Sequence, residues 1–516
     1  MLPALLLALP ALAPQQSELV LSRQDFVAGR QIRTFERAVI ADDGSWDVVA
    51  LLDTLVHNGN GVRVGSAGLV YAEGDFLAGP GLRIDYLRNL AGSGANATQR
   101  LRGGFEPPRP YGNTEVLLGR GQELLTAYEL ANVQGLPATS RLSRILDTAA
   151  NGNTTVVAVV GLYDAPGQAL VRIELDASGT VLARTLELAR GDVLPDGSVV
   201  DQIEDPRLDE RGNWVVRVNQ RRLVARNRVL LAEGTPSPLP GRDYQEILDF
   251  DTNDLGGLAA AVRLDGDVAT DLVLLRNGAV LAQEGQLLPS LSAAVPAPVL
   301  AEIGQVQLAN SGDVTWFAVG MGGGLADALV LRNLETVLQA GVTRVDGKLL
   351  LEFDGDADRL ATSPSGRFLL AKVRLESTGK ALVTADFGAS RVLLDCARNP
   401  ATLRHTDGLV LAGRTVRLEL DGPARPGSLA TIHLATALAQ PGQPCGVPTP
   451  FGELLLDPAR VVASFVAGTF AGGPVGLDLA IPADLALVNR KVYLQGAFLR
   501  PGILLSNGLS LEIGAP

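Results

Sequence analysis

The sequence predicts an all-β protein: a seven-bladed β-propeller, with six or eight blades as the open alternatives, followed by a small β-sandwich. Three observations predict it. A unit of about 50 residues recurs over the first three quarters of the chain, one unit divides into four short apolar runs, and the sequence texture changes near residue 396. Four-stranded units of ~40–60 residues are the sequence signature of propeller blades.

Each unit opens with a short polar turn, which marks the end of one strand and the approach of another. The seven copies of this opening turn are Arg23-Gln24-Asp25, Glu73-Gly74-Asp75, Tyr128-Glu129, Arg190-Gly191-Asp192, Glu233-Gly234-Thr235, Glu284-Gly285-Gln286 and Ala340-Gly341-Val342. Their number is the basis for the predicted blade count.

A second turn follows the opening turn, with a glycine after small polar residues and an apolar run behind it. Its clear copies lie at residues 42–46, 151–153, 209–214, 253–256, 310–312 and 363–368. Trp46 and Trp214 both stand two residues after the glycine of this turn, and Trp316 stands four after it. The shared position predicts large rings packed between neighbouring sheets. An aromatic platform for a ligand is the alternative.

The unit at residues 206–250 shows the four runs most clearly, at 214–218, 222–225, 228–232 and 246–250. Short strands with turn punctuation and no helical period exclude an α-solenoid or an α/β layout. A β-helix is the main structural rival, but its rungs would be shorter than these units.

The last unit lacks one strand. After Gly366 the sequence supplies strands at 368–373, 381–385 and 392–394 but no fourth, whereas residues 18–21 resemble the end of a unit. We therefore expect the N-terminal strand to complete the last blade. This closure would satisfy backbone groups that an open ring would leave at an edge.

The first 13 residues are predicted to be a signal peptide, because an apolar segment ends in Ala11-Leu12-Ala13. It has no Lys or Arg and is followed by Pro14, and a buried N-terminal strand or helix is the alternative. No later stretch approaches ~20 uncharged apolar residues, so no transmembrane segment is predicted in the mature chain. The expected location is secreted or at the cell surface.

The predicted domains are the propeller at 16–395 and the sandwich at 396–516. Strands in the second domain are expected at 415–420, 429–434, 454–456, 477–480, 492–497 and 509–513. Cys396 and Cys445 are the only cysteines, and in an exported protein they favour a disulfide over a metal site or free thiols. Closing a loop of this length would stabilise the domain by roughly 4 kcal/mol.

Charge argues against nucleic acid as a partner. The formal net charge is −12, and no basic stripe is interleaved with aromatic residues. Such a chain repels phosphate backbones. We expect a monomer that binds protein or glycan partners.

No catalytic motif is found. The three histidines, His57, His405 and His433, do not have the spacing of a metal pair. No serine lies in a Gly-x-Ser-x-Gly elbow, and no phosphate-binding loop is present. The sequence therefore predicts no catalytic residue and no cofactor, with a calcium ion as the alternative.

The calcium candidates are Asp354, Asp356 and Asp358, whose side-chain oxygens fall on alternate residues as in a calcium loop. Arg359 stands where that loop needs a glycine. Residues 249–254 form a similar acidic run. The alternative interpretation is a solvated turn whose Asp and Asn side chains cap backbone N–H groups.

Two parts of the chain resemble known proteins. Turns of the form Asn310-Ser311-Gly312, followed by turns like Glu284-Gly285, resemble secreted bacterial tandem-repeat propellers with an Asn-x-x-Gly signature. Segments 481–487, 492–497 and 505–509 resemble a C-terminal β-sandwich of exported repeat proteins. Several repeats here replace the Asn by Asp or Ser. The resemblance carries over no catalytic residue.

Two functions remain. The first is an exported, non-catalytic scaffold that presents its turns and central face to a protein or glycan, with the sandwich serving assembly or surface attachment. The alternative is a secreted carbohydrate-active or other hydrolytic enzyme with its site on one propeller face. Acids from several blades meeting at the central channel, one with a raised pKa, would favour the enzyme.

Overall fold

The computed structural model describes residues 17–514 apart from 54–59, 93–96, 106–111, 113, 152–153, 165–166, 210, 227, 255, 293, 322–323, 356–357, 394–398, 441–445 and 500–501. The chain divides into two compact units, Glu18–Thr384 and a C-terminal unit that begins at Ala385. The described residues are almost entirely strands and turns, which confirms the predicted all-β class.

The described part of Glu18–Thr384 contains seven antiparallel sheets. Strand β1 (Ser17–Ser22) belongs to the last of them. The first three sheets consist of β2 (Phe26–Val27), β3 (Arg30–Ile40), β4 (Trp46–Leu52), β5 (Gly61–Gly65) and β6 (Gly68–Ala72); β7 (Phe76–Leu77), β8 (Leu82–Ala91), β9 (Thr98–Phe105), β10 (Thr114–Gly119) and β11 (Gln122–Thr126); and β12 (Leu142–Ala150), β13 (Thr155–Leu162), β14 (Gln168–Leu175) and β15 (Val181–Ala189).

The fourth to sixth sheets have four strands each. They consist of β16 (Ile203–Leu208), β17 (Trp214–Val218), β18 (Arg222–Ala225) and β19 (Arg228–Ala232); β20 (Tyr244–Thr252), β21 (Leu258–Leu264), β22 (Leu272–Arg276) and β23 (Ala279–Gln283); and β24 (Leu300–Leu308), β25 (Val314–Gly320), β26 (Ala328–Arg332) and β27 (Glu335–Gln339). The seventh contains β28 (Arg344–Val345), β29 (Lys348–Phe353), β30 (Leu360–Thr362), β31 (Phe368–Leu375) and β32 (Gly379–Asp386).

The sheets follow one another around a closed circle. In the first six sheets the first long strand contacts the same strand of the next sheet: β3 contacts β8, β8 contacts β12, β12 contacts β16, β16 contacts β20, and β20 contacts β24. In the seventh sheet this position is held by the three-residue strand β30, which pairs with β31 and contacts both β24 and β3. These strands are the innermost ones. A ring of radially arranged antiparallel sheets is a β-propeller, as predicted.

The ring is closed by the N-terminal strand, because β1 pairs with β32 at the edge of the seventh sheet. This confirms the expected closure. The strand predicted at 392–394 was assigned to the wrong unit: β33 (Ala389–Leu393) pairs with β42 (Ile503–Glu512) of the C-terminal unit. With β1 in place, β32 has no free edge for it.

The second turns have the geometry that the sequence suggested. Their glycine adopts a left-handed conformation, with φ of +78° at Gly212 and +89° at Gly312, which residues with a side chain rarely adopt. The polar residue before it caps the turn: Asp209 Oδ1 accepts from the N–H of Asn213 at 2.7 Å, and Asn253 Oδ1 accepts from that of Gly257 at 2.9 Å. Such capping fixes the hairpin between the first two strands of a sheet.

The tryptophans pack between neighbouring sheets, as predicted. Trp214 and Trp316 are fully buried. Trp214 lies in one apolar cluster with Val157 and Val159 of β13, and Trp316 lies in another with Ala259 of β21. Half-buried Trp46 packs against the cluster where the first and seventh sheets meet. These large rings fill the wedge-shaped space between blades.

The C-terminal unit contains two packed sheets and a short hairpin, in agreement with the predicted β-sandwich. One sheet has the strand order β33, β42, β41, β36, β39 and the other has the order β34, β35, β40. Their bounds are β34 (Thr402–Asp407), β35 (Thr415–Asp421), β36 (Leu429–Ala435), β39 (Val461–Thr469), β40 (Val475–Ala480) and β41 (Lys491–Leu499), and the hairpin is β37 (Val447–Thr449) with β38 (Gly452–Leu454).

The core of this unit is shared by both sheets. Val416 and Leu418 of β35 lie in one buried cluster with Ile432, Leu494 and Leu509 of the larger sheet. Val416, Leu418 and Leu420 alternate with more exposed residues along β35, so this alternation marks the face of the strand that is buried in the core. Among the residues that the structure describes, no helix has the length and apolar character needed to span a bilayer.

Candidate functional site

The innermost strands surround a cavity of about 230 Å³ on the propeller axis. All seven contribute to its wall, which includes Arg37, Thr148, Arg207, Asp251, Gln307 and Thr362. A ring of sheets places the same strand of each repeat at the axis, so side chains from distant parts of the sequence meet there. This cavity is the central channel in which the acids of a hydrolytic enzyme would have to meet.

Acids from several blades do converge near the channel, where they lie beside arginines. Arg37 of β3 lies 4.0 Å from carboxylate oxygens of both Asp147 and Asp358. Arg207 of β16 lies 3.4 Å from Asp249 of β20. Charges from five different sheets therefore partly neutralise one another across the axis.

Two of these carboxylates hold neighbouring sheets together. Asp249 Oδ2 accepts from the N–H of Val306 at 2.7 Å, and Asp251 Oδ2 accepts from that of Leu308 at 2.8 Å. Both bonds run from β20 to the next innermost strand, β24. Asp249 and Asp251 thus join adjacent blades, a role that the sequence did not suggest, whereas Asn253 of the same acidic run caps its turn as the alternative interpretation expected.

Burial raises the pKa of Asp251 to about 6, although Arg207 and the Leu308 N–H act in the opposite direction. Burial also raises the pKa of Asp249. The condition that we set for an enzyme, converging acids with one raised pKa, is met. Both carboxylates also accept hydrogen bonds from backbone N–H groups of β24, and this structural role explains their buried position without any catalytic function.

The raised pKa of Asp251 predicts a pH dependence of stability. Its folded-state pKa lies above the ordinary value of 3.8, so its proton stabilises the fold at low pH, and this contribution is lost as the pH rises from about 4 to about 6. A shift of about two units corresponds to at most about 3 kcal/mol. Relative to Asp251→Asn, the wild-type free energy of unfolding should therefore fall between pH 4 and pH 7 in urea titrations.

The matched control for this measurement is Glu174→Gln, which removes one charge from an exposed side chain. Its exposed ion pair with Arg172 contributes less than about 1 kcal/mol, so the effect of this substitution should stay small at every pH tested. A difference between wild type and Asp251→Asn that does not change with pH would show that Asp251 is not the titrating group.

The proposed calcium ligands are engaged in ion pairs where the structure describes them. Asp354 lies 2.9 Å from the Lys380 ammonium, and Asp358 faces Arg37. Asp356 lies outside the described residues. Within the described part of the chain, no group of three acid, histidine or cysteine side chains is arranged to hold a metal.

Cys396 and Cys445 also lie outside the described residues, so their disulfide stays a prediction. Their described neighbours share one partner: Asn399 Nδ2 donates to the Glu453 carbonyl oxygen, and the Gly446 N–H donates to the Glu453 carboxylate. His57 is outside the described residues too. His405 contacts the Gly408 carbonyl oxygen, and His433 contacts the Ser464 hydroxyl.

The opening turns form a repeated structure that we call the opening hairpins. Each hairpin connects the outermost strand of one sheet to the innermost strand of the next. The same backbone bond closes its base, as in Ile84 N–H to the Asp75 oxygen (2.9 Å) and Val200 N–H to the Asp192 oxygen (2.9 Å). In antiparallel sheets these connections all lie at one end, so the hairpins project from one face of the propeller.

The residue that follows the hairpin base is apolar and exposed in repeat after repeat. The series is Phe26, Phe76, Leu130, Val193, Pro236 and Leu287, and the seventh hairpin has Arg344 at this position. The exposed fraction of the large members runs from 44% at Leu130 to 69% at Val193. Tyr163, Val268 and Met321 are exposed on loops at the same end.

Sequence reasoning missed these residues although the signal was present. The residue directly after Asp25, Asp75, Asp192 and Gln286 is apolar each time. Alignment of the turns alone could have shown it, but not that the side chain faces solvent, because an apolar residue beside a turn usually begins a buried strand.

Comparisons with known proteins give no family. No protein-family model matches the chain, and no curated protein is similar to it in sequence. The β-propeller domain of the Trilobed protease from Pyrococcus furiosus is similar over 69% of this chain and 94% of its own, at 10% identity and a TM-score of 0.36.

Two further solved structures are similar at lower scores. Pyrococcus horikoshii acylaminoacyl peptidase matches 76% of this chain and 58% of its own, at 11% identity and a TM-score of 0.32. A tetra-tandem repeat from the extending region of a large adhesion protein matches 97% and 99%, at 10% identity and a TM-score of 0.14. Likenesses at these values carry no conclusion about function.

Proposed function

We propose that this protein is an exported, non-catalytic scaffold that binds a partner protein on the face bearing the opening hairpins. The observation that carries the proposal is the exposed apolar residue at one position of six hairpins. Exposed apolar groups gathered on one face of a protein mark interaction sites. Export rests on the predicted signal peptide at residues 1–13.

A protein partner suits this face better than the other classes. The apolar positions are spread around a ring, so a broad surface can touch several at once, whereas a small ligand would touch only one or two. Of the exposed apolar residues named on this face, Phe26, Phe76 and Tyr163 are aromatic, which leaves few stacking platforms for sugar rings. The net charge of −12 opposes nucleic acid and anionic membranes.

The test is peptide selection against the full-length mature protein. A random dodecapeptide phage library is panned on wild type, and synthetic copies of the enriched peptides are titrated against Phe26→Ser/Phe76→Ser. We expect affinity to fall by about tenfold or more, because removing apolar anchors from an interface costs 1–2 kcal/mol or more. Leu182→Ser is the matched control, since Leu182 is 66% exposed at the other end of the sheets.

Val193→Ser tests the fourth hairpin in the same way, and peptides that bind it, Phe26→Ser/Phe76→Ser and Leu182→Ser all as well as wild type would contradict the proposal. The hydrolase alternative is tested on the same preparation with a panel of glycoside and ester substrates. Turnover that is abolished by Asp251→Asn would favour that alternative and place the activity in the central channel.

A further inference from the structure

A cleft of about 670 Å³ lies between the third and fourth sheets at the end of the opening hairpins. One wall comes from Ser143 and Arg144 of β12 and from Leu162 beside the β13–β14 loop. The opposite wall comes from residues 201–205 at the start of β16, and Arg190 of the fourth opening hairpin completes it. The cleft therefore opens on the proposed binding face.

Exposed apolar side chains lie in the chain segments that form the walls of this cleft. Tyr163 directly follows Leu162 of the wall and is 59% exposed. Val193 and Val199 pair across the fourth hairpin, between wall residues Arg190 and Asp201, and both are exposed. An apolar rim around a recess is the arrangement that buries an anchor side chain of a partner.

All but one of the carboxylates in the recess are paired with an arginine. The wall contains four carboxylates, from Asp147, Asp201, Glu204 and Asp205, and two guanidiniums, from Arg144 and Arg190. Arg190 lies 2.6 Å from Asp201, Arg217 lies 3.1 Å from Asp205, and Arg37 lies 4.0 Å from Asp147. No arginine or lysine of the described chain lies within ion-pair distance of Glu204, whose described polar partner is the Gln202 amide.

A bulge in β16 places Glu204 and Asp205 at this wall. The pairing of β16 with β17 slips between Glu204 and Arg207, and Asp205 has a φ of +48° directly before Pro206. A residue before proline avoids helical conformations, so this backbone is strained. Bulges re-aim side chains that a regular strand would direct elsewhere.

We propose that this cleft receives a lysine or arginine side chain of the partner protein, which pairs with Glu204 while the neighbouring apolar surface of the partner packs on Tyr163, Val193 and Val199. The inference rests on the proposed function, because it assigns the partner's chemistry at the same face. A basic side chain complements Glu204, the wall carboxylate that has no arginine or lysine of the described chain within ion-pair distance.

The experiment uses the peptides selected on wild type. Each basic residue of a peptide is replaced by methionine, and the affinities of parent and replaced peptides are measured for wild type, Glu204→Gln and the control Glu174→Gln. We expect one basic position whose loss weakens binding to wild type and to Glu174→Gln by about tenfold, and weakens binding to Glu204→Gln by less than about threefold.

The outcomes separate the two proposals. Peptides that need Phe26 and Phe76 but tolerate loss of every basic residue overturn the cleft assignment and leave the binding face intact. Peptides whose basic residue matters equally in wild type and Glu204→Gln also overturn it. Peptides that are insensitive to Phe26→Ser/Phe76→Ser and also to Val193→Ser overturn the proposed function itself.

Discussion

Replacing Arg332 by methionine is expected to lower the free energy of unfolding by about 3–5 kcal/mol. Arg332 ends β26, and its side chain is almost fully buried together with that of Asp313. Its Nε and one terminal nitrogen donate to Asp313 Oδ2, and the other terminal nitrogen donates to the Gly366 carbonyl oxygen at 3.0 Å. The guanidinium therefore joins the second turn of the sixth sheet to that of the seventh.

The large effect follows from what methionine would leave behind. Asp313 would keep the Asn333 amide and the Ser311 hydroxyl, both at 2.8 Å, but lose the Arg332 guanidinium in a place that water hardly reaches. Removing one partner of a buried ion pair is costly, whereas removal of both charges is often close to neutral. The double variant Arg332→Met/Asp313→Asn should therefore be more stable than Arg332→Met alone.

Urea titration followed by far-UV circular dichroism measures these differences. The matched control is Arg374→Met, because Arg374 pairs with Glu352 at 3.3 Å on the surface, where both side chains are about half exposed. Such a pair contributes less than about 1 kcal/mol. Equal losses for the two single variants would show that the Arg332 pair is not a buried link between blades.

The architecture could be predicted from the sequence because its signals are local and repeated. Each second turn needs a left-handed glycine and a capping side chain, so Gly212 and Gly312 mark hairpins without knowledge of their neighbours. Ring closure by β1 followed from counting strands. The strand at 392–394 was assigned to the wrong unit because a short apolar run does not show which sheet the strand will join.

The candidate sites could not be predicted because they depend on contacts between repeats. Asp249 and Asp251 looked like ligands of a loop, yet their carboxylates bond β24, more than 50 residues away. The opening hairpins were visible as turns. Whether the residue after each turn is buried or exposed depends on the face of the propeller on which the hairpin lies, and the packing of the seven sheets sets that face.

Replacing Trp214 by alanine is the second substitution with a large expected effect, a loss of about 3–5 kcal/mol. The indole is fully buried between the third and fourth sheets, beside Val157, Val159 and Leu170. Its Nε1 donates to Glu187 Oε2 at 3.0 Å. Alanine would leave a cavity in the wedge between blades, and the rigid sheets on both sides can close it only partly.

Trp46→Ala is the matched control, since Trp46 holds the same position after its turn glycine but is only half-buried. It gives up less apolar contact, so we expect a loss below about 2 kcal/mol in the same urea titrations. Trp214→Phe should fall between wild type and Trp214→Ala, because a smaller ring still fills part of the space. If Trp214→Ala cost no more than Trp46→Ala, the packing between blades would contribute little, and the propeller would be stabilised mainly by interactions within each sheet.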